Sequence, residues 1–249
     1  MSNMAWQTLS LHFKQTYDGG YRYLDKCGEF MVDATQKLNF VAGEPKPTGA
    51  KMEIPEKGIS ANCDANNLTI FQEVPDGDLS NFVSICSETS ALALKHFEPL
   101  SILKNGFALK EYWAFSKSDE MFAAILNLGG NYQGEIAKVV GMVPEYKKLD
   151  FWFTSGSKEF HMVVQPTTFE KTLLSKHNVG AQANRLEKSR VDRRNQFAER
   201  INKSFVVSHA LLLELDLMEN NPPSDFSLEK HFAELKQKSD ELKKLLIVK

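Results

Sequence analysis

The sequence predicts an α+β fold with a mainly antiparallel sheet and packed helices. Apolar residues alternate at a period of two in several segments joined by short turns, which is typical of antiparallel strands. In other segments they recur at spacings of three and four, which is typical of amphipathic helices. The 249 residues are 42% hydrophobic and 25% charged. This composition is that of a globular chain and excludes disordered and disulfide-scaffold classes.

The first 80 residues predict a helix followed by short strands. Apolar spacing predicts the helix from Gly20 to Leu38, with Asp18 as its N-cap and a Pro- and Gly-rich loop after it. Alternating apolar residues then predict three short strands, at 50–54, 59–63 and 68–72. The turn between the first two predicts that they pair antiparallel.

The middle of the chain predicts a second helix, a strand and a domain boundary. The helix spans 81–97, with Ser80 as N-cap, and the strand spans 106–115, where Glu111 interrupts the apolar side. Glycines cluster at 129–134, which favours a linker. We therefore predict an N-terminal α+β half, residues 1–130, and a C-terminal α+β half, residues 131–249.

The C-terminal half begins with the clearest hairpin, 149–153 turning back into 160–164, which Pro166 is expected to close. Thr167 and Glu170 form a capping-box pattern that predicts a helix continuing to Lys203. A strand with thirteen alternating positions, 205–217, is predicted to be central and buried on its leucine face. The last helix spans 228–246, with Ser227 as N-cap.

The two predicted halves share an order of elements, although no string of residues repeats. Either an internal duplication or a single interleaved sheet explains this order. If two similar units pack side by side, the groove between them becomes the default binding site, because concave surfaces arise between packed units.

Charge and cysteine usage predict a cytoplasmic protein without a membrane segment. The net charge is -2, and the first residues contain no secretory leader pattern. The longest apolar-dominated stretch, 205–217, is too short and too polar to span a bilayer. The three cysteines, Cys27, Cys63 and Cys86, are an odd and widely spaced set that fits reduced thiols better than disulfides.

The chemistry-bearing residues predict no metal and no cofactor. No His or Cys pair has zinc-ligand spacing, and the glycines match no phosphate-binding fingerprint. The best carboxylate pair is Glu214 and Asp216, which share one face of the predicted strand. They support one alternative function, a metal-dependent enzyme acting on phosphodiesters.

A strong charge asymmetry supports the leading hypothesis. Segment 185–203 holds seven basic and three acidic residues, whereas segment 53–88 holds seven acidic residues and one lysine. On a helical wheel Arg185, Arg193, Arg200 and Lys203 group within about 80°. We therefore predict a non-enzymatic interaction protein whose basic helix contacts a protein or nucleic-acid partner. An internal contact between the two segments, or self-association of the chain, explains the same asymmetry.

Overall fold

The computed structural model describes residues 6–43, 46–47, 49–115, 117, 120–121, 148–168, 185–204 and 209–246. Within helix 185–204 it describes the side chains of residues 187–199. The α+β prediction is confirmed. In chain order the described elements are β1 (Gln7–Asp18), α1 (Tyr23–Leu38), β2 (Val41–Ala42), β3 (Ala50–Ile54), β4 (Ile59–Cys63), β5 (Asn67–Glu73), α2 (Ser80–Phe97), β6 (Ser101–Phe115), β7 (Leu149–Ser155), β8 (Lys158–Thr168), α3 (Arg185–Ser204), β9 (His209–Asn220) and α4 (Leu228–Leu246).

One antiparallel sheet of nine strands runs through both predicted halves, in the order β2-β3-β4-β5-β1-β6-β9-β8-β7. Strands from before residue 130 occupy one side and strands from after it the other. They join where β6 pairs with β9 over twelve residue pairs. The predicted boundary at 129–134 lies outside the described residues, so the division into two halves stays a prediction.

The two faces of the sheet differ in what covers them. One face, here called the helix face, carries buried side chains such as Phe13, Phe107 and Leu215 in a single apolar core. Helix α2 packs there against β1 and β5, α4 packs against β6 and β9, and α1 packs against α2. The opposite face, here called the open face, carries more polar side chains. Helix α4 also reaches β8, where Lys158 pairs with Glu234 and Lys238 lies over the Phe160 ring, while Phe151 and Phe153 of β7 remain 42% and 50% exposed.

The leucine-rich strand is central, as its alternation predicts. β9 lies between β6 and β8, and Leu211, Leu213, Leu215 and Leu217 are at most 1% exposed. It begins at His209 and ends at Asn220, whereas the alternation predicted 205–217. Residues 205–208 lie outside the described residues.

Strand β1 is absent from the sequence prediction, and its position corrects the first predicted helix cap. β1 pairs with β5 on one side and β6 on the other. Asp18 ends this strand opposite Ser101, so it does not cap α1. The cap position is Arg22, and no side chain caps it. The shorter helix still buries the predicted apolar side, apart from Leu24.

Of the other boundary predictions, the Ser80 cap is wrong, because α2 already includes Ser80 and its cap position is Leu79. The Oγ of Ser227 accepts a hydrogen bond from the backbone N–H of Lys230 at 3.2 Å, which confirms that cap. Pro166 and Thr167 were expected to end the hairpin and start a helix, but both lie within β8, opposite Leu211 and Ala210. The continuing pairing with β9 keeps this segment extended. Across the described residues, no helix is long and apolar enough to cross a membrane.

Candidate functional site

The basic helix α3 packs against the acidic segment that the charge pattern singled out. An Arg190 Nη2 lies 2.7 Å from Glu53 Oε1, and an Arg193 Nη1 lies 3.3 Å from Glu56 Oε2. The buried Phe197 ring covers Gly58, where a Cβ would lie 2.6 Å from it. Gly58 has a φ of 63°, a left-handed conformation that also favours glycine. Two ion pairs and the Phe197 contact are thus among the interactions that hold the described part of this helix.

The packing of α3 places one of the four predicted contact residues in an internal ion pair. Arg193 contributes to the internal ion pair with Glu56. The side chains of Arg185, Arg200 and Lys203 lie outside the described ones, so their binding role stays a prediction. The charge asymmetry is therefore in part an internal contact. Arg194 remains exposed and lines a cleft of about 340 Å³ between α3 and the edge of the open face.

A histidine held between two carboxylates lies on the open face. His161 Nδ1 is 3.1 Å from an Asp216 oxygen, and its Nε2 is 2.8 Å from an Asp150 oxygen. The indole of Trp152 stacks on the imidazole, with ring centroids 3.9 Å apart and planes 11° apart. These residues come from three adjacent strands: Asp150 and Trp152 from β7, His161 from β8 and Asp216 from β9.

The electrostatics of this cluster favour a protonated imidazole. Partial burial lowers the pKa of His161, but hydrogen bonds and charge interactions with Asp150 and Asp216 outweigh it, so the pKa lies above its ordinary value. The pKa of Asp150 is lowered, first by its hydrogen bond with Lys148 and then by His161. In its protonated form His161 links the outermost strand, β7, to β9 through ion pairs with Asp150 and Asp216.

The carboxylate pair behind the metal-dependent alternative is already engaged by cations and an amide. Glu214 and Asp216 do share the open face, as predicted. Glu214 pairs with Lys110 at 3.1 Å and accepts a hydrogen bond from Gln165 at 3.3 Å, while Asp216 contacts His161. In the part of the chain that the structure describes, no three His, Cys, Asp or Glu residues are grouped to hold a metal ion. The geometry therefore adds nothing to this alternative beyond the pair itself.

Strand β7 forms an exposed aromatic edge. It is the last strand of the sheet, and within the described residues its outer side is unpaired. Phe151, Trp152 and Phe153 are 42%, 69% and 50% exposed. Phe151 and Phe153 point to the helix face, opposite Met162 and Phe160, and Trp152 points to the open face, opposite His161. Large apolar side chains are thus exposed on both sides of one edge strand.

A groove lies beside this edge on the helix face, between α4 and strands β7 and β8. Its volume is about 650 Å³. Its apolar wall consists of Phe153, Phe160, Met162, Leu217, Leu242 and Leu245. An ion pair between Lys158 and Glu234, 2.6 Å apart, lies at its rim. We call strand β7 together with this groove the bare end of the sheet.

A buried charged cluster lies under α4, away from the bare end. Glu111 is 2% exposed, and Lys243 Nζ lies 2.5 Å from one of its oxygens. Lys236 Nζ lies 3.4 Å from the other oxygen, and Ser239 also donates to the carboxylate. A cavity of about 910 Å³ opens beside the cluster, next to Trp6. The interruption of the apolar alternation at Glu111 was its only signal in the sequence, and its partners lie 103 or more residues away.

No protein-family model matches the chain, and no curated protein matches it in a sequence search.

Proposed function

We propose that this chain is an interaction protein that binds a protein partner at the bare end of its sheet. The observation that carries the proposal is the run Phe151–Phe153, three consecutive aromatic side chains that are 42–69% exposed on a strand whose outer side is unpaired within the described residues. Exposed apolar edges invite pairing with another chain, and proteins that do not use them protect them with charges, prolines or bulges. β7 has one charged residue, Asp150, and no proline, and its pairing with β8 is continuous.

The chemistry of the bare end suits a protein surface. Aromatic residues are enriched at the centres of protein interfaces, where they carry most of the binding energy. Phosphate backbones need a surplus of basic side chains. Among the described residues, four lysines near β7 each lie within 4 Å of a carboxylate: Lys104, Lys148, Lys158 and Lys238. This balance favours a protein partner over nucleic acid at this site.

The expected mode is strand addition. An extended segment of the partner pairs with β7 through backbone hydrogen bonds, and its alternate side chains contact the aromatic rows on the two faces. The groove against α4 then receives the side chains that point to the helix face. Buried and free cysteines, Cys27, Cys63 and Cys86, are consistent with the cytoplasmic location that we propose for this binding.

Site-specific photo-cross-linking in the native cells tests the proposal. Trp152 is replaced by benzoylphenylalanine, with the same replacement at Tyr21 as the matched control, because Tyr21 is 78% exposed but lies far from the bare end in sequence and on no strand. We expect a discrete protein adduct at position 152 that is absent at position 21. The protein identified in the adduct should bind the purified chain at least about tenfold more weakly when Phe151 and Phe153 are changed to serine.

Two outcomes would contradict the proposal. One is the absence of any protein adduct at position 152. The other is binding of single- or double-stranded DNA or RNA that weakens with salt at a log–log slope near -2 to -4, as expected for three or four phosphate contacts. If charge reversal at the exposed Lys188 and Arg194 abolished that binding, the basic helix α3 would be the contact instead.

A further inference from the structure

The backbone of β7 limits how another strand can pair with it. Gly156 and Ser157 are the two central residues of the β7–β8 turn, and Gly156 has a φ of 59°. A two-residue hairpin turn closes with a hydrogen-bonded pair, here Ser155 and Lys158. Hydrogen-bonded and non-hydrogen-bonded pairs alternate in an antiparallel ladder. Residues 149, 151, 153 and 155 therefore bond to β8, and the N–H and C=O groups of Asp150, Trp152 and Thr154 point outward.

A hydrogen bond on the other side of β8 supports this assignment of inward and outward backbone groups. The backbone N–H of Asn220 donates to the carbonyl of Ser157 at 2.9 Å. Odd-numbered positions of this segment therefore bond to β9, which leaves the even-numbered positions of β8 for β7. The outward groups of Asp150, Trp152 and Thr154 follow from both sides of the strand.

We infer that the partner at this edge is a second copy of the chain, with the two β7 strands paired antiparallel about a two-fold axis at Trp152. This inference rests on the proposed function and names its partner. In this register Trp152 lies opposite itself, and Asp150 lies opposite Thr154 of the other copy. All outward N–H and C=O groups of the three residues are then satisfied, in about six hydrogen bonds between the chains.

The side chains of β7 are complementary to themselves in this register. Phe151 lies opposite Phe153 of the other copy twice, on the helix face, in the non-hydrogen-bonded pairs where side chains approach most closely. The two Trp152 rings meet on the open face. No like charges lie opposite each other, because the only charged residue of the strand, Asp150, meets a threonine. All seven residues of β7 are paired.

Other registers are less favourable for definite reasons. Only registers that pair even-numbered residues with even-numbered residues satisfy the outward groups. A shift that centres the pair on Asp150 places two carboxylates opposite each other, which is unfavourable. Shifts that centre it on Phe151 or Phe153 leave Trp152 opposite Asp150 or Thr154 and shorten the overlap. The register centred on Trp152 is therefore the one that pairs every aromatic residue with another aromatic residue.

A disulfide between two differently substituted chains tests the register. One chain carries Asp150→Cys and the other Thr154→Cys, each with its own affinity tag, and the oxidant is diamide. Hydrogen-bonded partners in an antiparallel pair have Cα atoms about 5.5 Å apart, within disulfide range. Two copies of the same variant place their new cysteines four residues apart along the strand, about 13 Å, which is too far. We expect the disulfide in the mixture and in neither chain alone.

The mass of the chain in solution tests the association itself. Sedimentation equilibrium of the full chain should give a dimer. Trp152→Lys places two ammonium groups opposite each other and should raise the dissociation constant at least tenfold. Leu24→Lys, at an exposed apolar position of α1, is the matched control and should remain a dimer. Because Trp152→Lys also removes the stack on His161, thermal unfolding of the variant is measured in parallel to show that the monomer remains folded.

The results separate this inference from the proposed function. A monomeric chain, or a dimer that Trp152→Lys leaves intact, overturns the inference. Absence of the disulfide in the mixture of variants overturns the register and with it the inference. If the photo-adducts at position 152 contain a different protein and the chain is a monomer, the proposed function stands and the second copy is excluded. If no protein adduct forms and the chain is a monomer, both are overturned.

Discussion

β9 and β7 carry the same kind of sequence pattern but have opposite environments. In β9 the alternating leucines are buried between β6 and β8 and beneath α4. In β7 the alternating aromatics Phe151 and Phe153 remain about half exposed at the end of the sheet. Period-two alternation predicts that one face of a strand is apolar. Whether that face is covered depends on the strand's place in the sheet and on where the helices lie.

The difference in burial between β9 and β7 predicts different roles: β9 contributes to the stability of the fold, and β7 contributes to association with another chain. Burial in β9 contributes to the free energy of folding, because its leucines leave water when the chain folds. The exposed aromatic side chains of β7 remain in contact with water after folding and are buried only when another chain binds. Substitutions in β9 should therefore reduce stability, and substitutions in β7 should reduce association while leaving stability almost unchanged.

The largest effect is expected at the centre of β9. Leu213→Ala removes buried methyl groups from a strand that is flanked by β6 and β8 and covered by α4, and should destabilise the fold by about 2 to 5 kcal/mol. Phe151→Ala, on the edge strand, should cost less than about 1 kcal/mol because the ring is 42% exposed. Urea unfolding monitored by circular dichroism measures both values. Equal losses at the two positions would contradict the contrast between these strands.

A second contrast concerns the two sides of α4. Lys243→Met removes the ammonium group from the buried Glu111 and should cost about 2 to 3 kcal/mol, since Ser239 and Lys236 still donate to the carboxylate. Lys158→Met breaks the half-exposed pair with Glu234 at the bare end and should cost at most about 1 kcal/mol. Urea unfolding of both variants at one ionic strength makes the comparison. A smaller loss of unfolding free energy for Lys243→Met than for Lys158→Met would show that the buried Glu111 cluster contributes less to stability than its geometry indicates.

Helix α3, which packs against residues 53–58, provides a third contrast with the bare end of the sheet. Arg193→Glu places a second carboxylate beside Glu56 and should loosen α3, at a cost of at most about 1 kcal/mol because both side chains are partly exposed. Hydrogen exchange of α3 amides should become faster. Adding Glu56→Arg restores opposite charges and should restore protection. Unchanged exchange in the single variant would mean that the Arg193–Glu56 pair does not contribute to holding the helix.

The link between β7 and β9 should depend on pH. Because the folded-state pKa of His161 is raised above its ordinary value of about 6.5, the stabilisation is fully present below that value. It is lost as the pH rises through the folded-state pKa. The lowered pKa of Asp150 determines the acid limit of this pH range: the stabilisation is lost as the pH falls below about 4, where the carboxylate becomes protonated. The stability difference between the wild type and His161→Gln should be largest near pH 5 to 6 and shrink toward pH 9. A difference that grows with pH would contradict a protonated His161.

The smallest effect is expected from metal ions. EDTA, magnesium, manganese and zinc should leave the melting temperature unchanged, because Glu214 and Asp216 are already paired with Lys110 and His161. A ligand that binds only the native state at 100 times its dissociation constant would add about 2.7 kcal/mol. A reproducible upward shift with one divalent ion, abolished by Asp216→Asn, would restore the metal-dependent alternative.

The sequence by itself determined the local structure of most described elements. Alternation defined the pairing of β3 with β4 and the β7–β8 hairpin, because side-chain direction in a strand follows a period of two. Apolar spacing defined α1, α2 and α4, and Ser227 marked a helix start through its hydroxyl. The alternation also predicted that β9 is central, because so long an apolar row is unstable at an exposed edge.

Only the tertiary structure decided which local patterns meet. It placed β1 between β5 and β6, although the sequence analysis assigned this segment no strand, and it kept Pro166 and Thr167 extended through pairing with β9. It also brought Asp150, His161 and Asp216 together across three strands and surrounded Glu111 with partners from α4. Strand order and helix cover arise from contacts between residues far apart in the chain. Local periodicity has no information about these contacts, and for that reason the aromatic edge could be recognised as exposed only in the folded protein.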